Sequence, residues 1–326
     1  MKDSEYPKFN LKMLTLKDQG DLCYTISSSN KPRLTVEPGE TAGIETEDAF
    51  SGQIRKEGDR RDFSKVPYAN PQSGPIYVNN ATPADTLSVQ IENIQPLIGQ
   101  GATRVISFWY AAKYDTALIQ RLLGSTDVPE RPIICHISDG KVHFKDFVLP
   151  YKPMIGTMGT ADPVESYLAW FPGQHGGNMD IAELTIGSTL YLPVRVDGAL
   201  LHIGDVHAVQ GQGELCGAAI EMPSLTTLKL DLVRGRRISW PRLVTRDAIY
   251  TIACTQAGRT LEDAIRLAFM ELVLWLEEDY SFERWSAFQL LTMVAKIQIG
   301  NFWTVAVGIP KEYLGKSEKY ERLSRC

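Results

Sequence analysis

The sequence predicts a mainly β protein with an α/β part: a β-sandwich or barrel-like core, with a C-terminal helical pair packed on a sheet. Three observations carry this. From about residue 10 to 256, short alternating runs are divided by turn residues at close intervals. Past residue 258 the apolar spacing becomes helical. Neither common Gly-rich phosphate loop appears, which argues against a doubly wound nucleotide fold. The expected division is a β-rich catalytic core over 1–257 and a helical hairpin plus final strand over 258–326, packed on that core.

The elements follow in order. Asp85-Thr-Leu-Ser-Val-Gln-Ile-Glu-Asn-Ile alternates as a half-buried strand does. Asp139-Gly140 marks a hairpin whose flanking runs carry His136 and His143 on a sheet face. Ser188–Val196 is a strand, with Pro193 at an edge or bulge. Asp197-Gly198 then fits a hairpin turn into Ala199–Ile203, where His202 reads as a satisfied core histidine. Leu225–Leu232 and Pro241–Ile252 add strands. Thr260 and Asp263 outline a capping box. Leu261, Ile265, Ala268, Phe269, Leu272 and Leu276 then share one helix face. Ser281 is the expected cap of a second helix running to about Ile297, before a final strand, Phe302–Ile309. Trp275 and Trp285 read as core or subunit interface.

Composition narrows the function classes. The 326 residues are 44% hydrophobic, enough for a sizeable core, and the net charge is -5. Basic residues cluster only at Arg55–Arg61 and Arg234–Arg237, short runs that read as solvated faces rather than a nucleic-acid surface. The charged N-terminus has no apolar signal region, and no stretch approaches the roughly 18 apolar residues of a membrane span. Five scattered cysteines, without a CxxC pair, point to reduced thiols and a cytoplasmic location.

The densest polar cluster is Gly204-Asp205-Val-His207-Ala-Val-Gln210-Gly-Gln212-Gly-Glu214. On an extended strand, Asp205 and His207 project to the same side. Carboxylate plus imidazole suits Zn²⁺ or a similar divalent ion. Apolar flanks place these groups at the ends of buried strands, where a carboxylate needs a partner. A polar hairpin whose Asp and His satisfy turn amides is the plainer alternative. A second cluster, Pro172-Gly-Gln-His175-Gly-Gly-Asn178-Met-Asp180, could be a site loop or a turn with Asx motifs. A third, Glu45-Thr-Glu47-Asp48, reads from its residues as an acidic surface edge. No Gly-x-Ser-x-Gly elbow or Gly-Ser-x-Ser signature supports serine chemistry. The aromatic stretches Phe108-Trp-Tyr, Trp170-Phe171 and Phe302-Trp303 show no sugar-platform pattern.

Read together, Asn70-Pro-Gln-Ser-Gly-Pro-Ile-Tyr-Val-Asn-Asn-Ala-Thr-Pro-Ala-Asp85, His175-Gly-Gly-Asn-Met-Asp180 and the run from Gly204 through Glu214 to Ala219-Ile-Glu221 resemble the acetamidase/formamidase family, from Pro38 to about Lys311. The resemblance implies hydrolysis of a small aliphatic amide, such as formamide or acetamide, to carboxylate and ammonia. It also implies a bound divalent metal (zinc, with calcium as the alternative) and a homo-oligomer. Carried over by position, Asp48, Asp180, Asp205 and His207 are expected metal ligands. Glu214 is the expected general base, with His175, Asn178 and Gln210 on the substrate; Glu214 as ligand with Asp180 as base fits nearly as well. The resemblance raises Asp48 from surface residue to ligand candidate. Family relatives are also linked to γ-lactams. A catalytically silent small-ligand-binding member is a further reading, motivated by two departures: Gln212 stands where the family usually has Asp, and Lys296 where it often has an acidic residue.

Overall fold

The structure, a computed structural model, describes residues 11–106, 131–255 and 260–315. The Phe108-Trp-Tyr run, Cys326 and the boundary near residue 257 lie outside these residues. The chain is dominated by strands. A nine-stranded sheet has the order Lys12–Leu14, Glu40–Thr46, Ser224–Val233, Thr86–Pro96, Thr189–Pro193, Arg242–Val244, Ala248–Cys254, Thr304–Pro310, Lys296–Ile299. A six-stranded sheet runs Pro172–Gly173, Gly176–Asn178, Met154–Gly159, Leu201–His207, Gln72–Val78, Leu34–Val36. Inward residues of both sheets, among them Val89, Leu190 and Leu228 from one and Ile76, Ile155 and Ile203 from the other, form one core. This is sandwich packing. A four-stranded sheet (Gln100–Thr103, Ile133–Ser138, Lys141–Phe144, Phe147–Pro150) adds Cys135, Ile137 and Val142 to that core.

Strand patterning explains much of this. In Thr86–Pro96 the core positions Leu87, Val89 and Ile91 alternate, then parity changes to Ile94. The change coincides with a register shift opposite Thr227 and Leu228, the work of a β-bulge. Ala248–Cys254 is buried on both faces: Ala248, Tyr250 and Ile252 enter the main core, while Ile249 and Ala253 join a second one. That second core is completed by helices Leu261–Tyr280 and Arg284–Val294 through Ala268, Leu272, Leu276 and Leu291.

Several expectations change. The Asp139-Gly140 turn forms as read, with both residues at positive φ and exposed His136 opposite His143. Asp197-Gly198 does not close a hairpin: Thr189–Pro193 and Leu201–His207 belong to different sheets. Pro241–Ile252 is two strands in a hairpin rather than one. The first helix continues through Glu277–Tyr280, and Ser281 is its left-handed C-cap. Glu283 caps the second helix instead, accepting from the amides of Trp285 and Ser286. That helix stops at Val294, because Lys296–Ile299 pairs with the final strand. Trp275 is buried and Trp285 is exposed. Among the described residues no helix is long and apolar enough to cross a membrane.

Candidate active site on the six-stranded sheet

Strand Leu201–His207 lies between Met154–Gly159 and Gln72–Val78, and every one of its residues is buried. Its core positions step from Leu201 and Ile203 to Val206 and Ala208. Parity changes at Asp205, which has φ +58°. The sheet ladder with Met154–Gly159 keeps its register on both sides of this point. Past that point Val206 and Ala208 face the core, so Asp205 and His207 share the opposite face as their spacing predicts, and Nε2 of His207 is 3.3 Å from Asp205 Oδ1. Facing them is Gly156. A Cβ there would lie 2.6 Å from Asp205 Oδ2 and 2.7 Å from Asp180 Oδ1, so only glycine leaves the two carboxylates room.

His207 is held from its other side. Its Nδ1 is 2.7 Å from Oε1 of Gln210, an acceptor only, so Nδ1 carries the proton. Gln210 Nε2 donates to the Asp180 backbone carbonyl at 2.7 Å, tying the two segments. His207 Nε2 then faces Asp205 and, at 3.1 Å, Glu221 Oε2. Neither contact has good hydrogen-bond geometry, and both Nε2 and Glu221 Oε2 are buried without a partner. Asn301 Nδ2 donates to Asp180 Oδ2 and to the Asn178 carbonyl, both at 2.9 Å. The Thr157 hydroxyl lies between Asp205 Oδ2, at 3.1 Å, and Asn178 Oδ1. Asn178 Oδ1 also accepts from Asn70 at 3.2 Å, and Asn178 borders the cavity described below.

Asp180, Asp205 and His207 can offer one ligand atom each within 4.8 Å of one another, and so can His207, Glu214 and Glu221. Four carboxylates therefore converge on one imidazole. Burial raises the Glu214 carboxyl well above its ordinary range, and the Asp180 charge adds to the effect. Burial likewise lifts Glu221 to about 8, against the pull of His207. Burial alone would lower His207, but the charges of Glu221 and Asp205 overcome it and raise the imidazole well above 6.5. Asp180, Asp205 and Glu214 all have positive φ, at 53°, 58° and 44°. Such conformations cost about 1–3 kcal/mol each and concentrate at functional sites. Excess buried negative charge, a mixed nitrogen and oxygen donor set and unpartnered Nε2 and Oε2 atoms all fit a divalent cation.

Above the cluster lies a cavity of about 410 Å³. Asn178, Asp205, Glu214 and Glu221 border it, together with mostly apolar residues such as Phe50, Tyr68, Leu168 and Trp170. The sequence-derived candidates Asp180, Asp205, His207, Gln210, Glu214 and Asn178 are thus brought together. Asp48 is not. It is buried in a different constellation, paired with Arg55 and accepting from the amides of Phe50 (2.9 Å) and Gly52 (3.0 Å). Arg55 takes its Oδ2 and two backbone amides take its Oδ1, so both carboxylate oxygens are engaged away from the His207 cluster. His175 also stays out of the cavity lining. Its ring stacks on Tyr167 with centroids 3.9 Å apart, wedged between Gly173 and Gly177. Burial lowers it to about 3, so it is a neutral prop for the strand that carries Asn178. Gln212 points away, hydrogen-bonded to Gln298 and to the amide of Ile299. Replacing Asp by Gln there removes no charge from the cluster. Glu221, Asn301 and Thr157 were not among the candidates. Only Glu221 carried a signal, as the end of the Ala-Ile-Glu segment in the resemblance.

A model of the Acetamidase/Formamidase family matches residues 30–165 and 164–302. A crystal structure of an acetamidase from Yersinia enterocolitica superposes with a TM-score of 0.86 at 38% identity, covering 95% of this chain and 94% of that one. An acetamidase from Bacillus halodurans gives 0.82 at 29% identity, over 94% and 99% of the two chains. The acetamidase of Mycolicibacterium smegmatis is 28% identical over 262 residues, 62% of this chain and 63% of that one. The chain spans about three-fifths of the length of the curated relatives it matches. A γ-lactamase from Delftia acidovorans, at 19% identity and a TM-score of 0.59, shares the fold.

Proposed function

The chain belongs to the acetamidase/formamidase family, and from that premise we propose that it hydrolyses a linear primary amide to a carboxylate and ammonia at the cluster around His207. The observation that carries this is the convergence of Asp205, Glu214 and Glu221 on the wall of one cavity, with Asp180 and His207 behind them. A planar amide resists water because its resonance must break and its nitrogen must leave protonated. A divalent cation would be held by Asp205 and His207 with Asp180 or Glu221, and when bound it supplies activated water and polarises the carbonyl. The imidazole ligand favours zinc over calcium, which takes oxygen donors.

The protein's own groups do the rest. Glu214, whose burial favours the protonated form, is placed at the cavity wall to act first as general base and then as acid. It takes a proton from the attacking water and returns it to the departing nitrogen. Asn178 Nδ2 donates toward the substrate carbonyl oxygen from the cavity wall. Gln210 is a positioning residue, fixing the His207 tautomer so that Nε2 faces the carboxylates. Gln212, the main support for a silent binding member, lies outside the cluster, which favours the enzyme reading. The free cysteines are consistent with a reducing, cytoplasmic setting, and exposed Trp285, Phe288 and Met293 support a homo-oligomer that covers the second helix.

The test is ammonia release by purified protein from formamide, acetamide and longer amides, beside ring opening of γ-butyrolactam. Turnover of the linear amides supports the assignment. Turnover of the lactam alone moves the assignment to cyclic amides, and no turnover on any amide by metal-loaded protein ends the hydrolase reading.

A further inference from the structure

Acetamide has four non-hydrogen atoms, whereas a cavity of about 410 Å³ lies in the range that encloses drug-sized ligands. Its wall is charged at two separate places. Asp205, Glu214 and Glu221 form one; Arg61 and Arg104 form the other. The Arg55–Arg61 run, read from sequence as solvated, divides in the fold: Arg55 pairs with Glu47 and Asp48, while Arg61 turns to the cavity. Arg61 is half-buried and donates to three backbone carbonyls, Phe50 at 2.6 Å, Tyr68 at 2.5 Å and Val66 at 3.4 Å. No carboxylate is within ion-pair reach of it among the described residues. Asp48 acts on it only at a distance and is bound by Arg55, while Arg104 repels it. The rest of the wall is largely apolar, with Phe50, Phe63, Tyr68, Leu168 and Trp170.

We propose that the substrate is a primary amide with a carboxylate at its far end across a short apolar spacer, the amide lying against Asn178 and Glu214 and the anion against Arg61. A half-buried guanidinium without a counter-ion is where a substrate carboxylate gains most. The spacer fills the apolar stretch of wall that acetamide leaves to water. The inference rests on the amide-hydrolase reading above and narrows its substrate class to monoamides of dicarboxylic acids.

The experiment compares kcat/KM of the metal-loaded protein for the monoamides of succinic and glutaric acid with that for neutral amides of equal length. A preference of about tenfold or more for the acidic amide is expected, the scale of one charge-assisted hydrogen bond. Arg61→Lys keeps the charge and should keep most of the preference, whereas Arg61→Gln should bring the ratio to about one. Equal kcat/KM for the acidic and neutral amides in wild type would overturn the proposal. So would an equal loss of preference in Arg61→Lys and Arg61→Gln, which would make Arg61 a clamp on its loop. Calorimetric binding of succinate and glutarate against their neutral diamides tests the anion site without turnover. Tighter dicarboxylate binding supports it, and equal binding overturns it. Failure of every amide to turn over, with dicarboxylate binding intact, would sink the hydrolase reading alone.

Discussion

Two clusters of charge, one half-buried and one buried, differ in how they are balanced. Between the nine-stranded sheet and helix Leu261–Tyr280, Arg242 reaches Glu278 at 3.2 Å and Asp279 at 3.9 Å, and Arg236 binds the same two carboxylates. Trp275 Nε1 donates to Asp279 at 2.7 Å, and the Arg242 guanidinium lies 4.9 Å from the Trp275 ring. Two cations meet two anions, with hydrogen bonds to match. On the six-stranded sheet, four carboxylates share one imidazole, three of them on left-handed backbone. The first cluster ties a helix to a sheet. The second is stable only because the surrounding sandwich over-determines it, and its imbalance is what a cation and a reacting amide would relieve.

Removing the metal should show the largest difference. Chelation is expected to lower amide turnover about 1000-fold, the several kcal/mol that a Lewis acid supplies, with recovery on adding back one divalent ion. The same treatment should leave the Arg242 cluster untouched, so unchanged near-ultraviolet circular dichroism around Trp275 is expected. Next, Asp279→Ala removes one of the two anions facing Arg236 and Arg242 together with the acceptor of Trp275 Nε1, and should cost about 1–3 kcal/mol in urea unfolding. Turnover of the folded variant should stay at the wild-type level. In metal-free protein, by contrast, Glu221→Gln relieves repulsion and should not lower the unfolding midpoint; a loss as large as that of Asp279→Ala would erase the distinction between the clusters.

Glu214→Gln should reduce turnover by about 100-fold or more while metal content is retained, because it removes only proton transfer. Near-normal turnover would leave Glu214 a ligand or bystander and move the base role to Asp180. The smallest effect concerns His202, on the same strand as His207. His202 is fully buried, with Leu200 O at 2.9 Å and Asn30 Nδ2 at 3.0 Å, and burial lowers it to about 4. Its folded pKa is below the unfolded value near 6.5, so the unfolded chain binds the extra proton first and stability falls as pH drops through that window. Between about pH 6.5 and 5 the loss should be roughly 2 kcal/mol. His202→Gln should flatten that slope in denaturant titrations; an unchanged slope would show that His202 is not the group responsible.

Much of this was legible in the sequence, for local reasons. Alternation marked Thr86–Pro96, helical spacing marked Leu261–Tyr280, and polar residues between apolar flanks marked Asp205, His207 and Glu214. What escaped depends on contacts between distant segments. Asn301 orients Asp180 from 121 positions away, and the Asn301 side chain carries no local sign of it. Asp48 read as surface and became a ligand candidate only through the resemblance; that Arg55, seven positions on, is its partner could not be read before the loop folded. Ser281 looked like a helix start because a Ser at a left-handed C-cap and a Ser at an N-cap are the same residue in the same kind of run.

The most direct test of the site is a stoichiometric one. Purified wild-type protein, His207→Ala and Asp279→Ala should be assayed for bound metal and for ammonia release from acetamide in the same samples. About one equivalent of zinc with turnover in wild type and Asp279→Ala, and loss of both in His207→Ala, is the predicted result. Amide turnover in wild type that survives complete metal removal, or full metal content in His207→Ala, would contradict the assignment of the site.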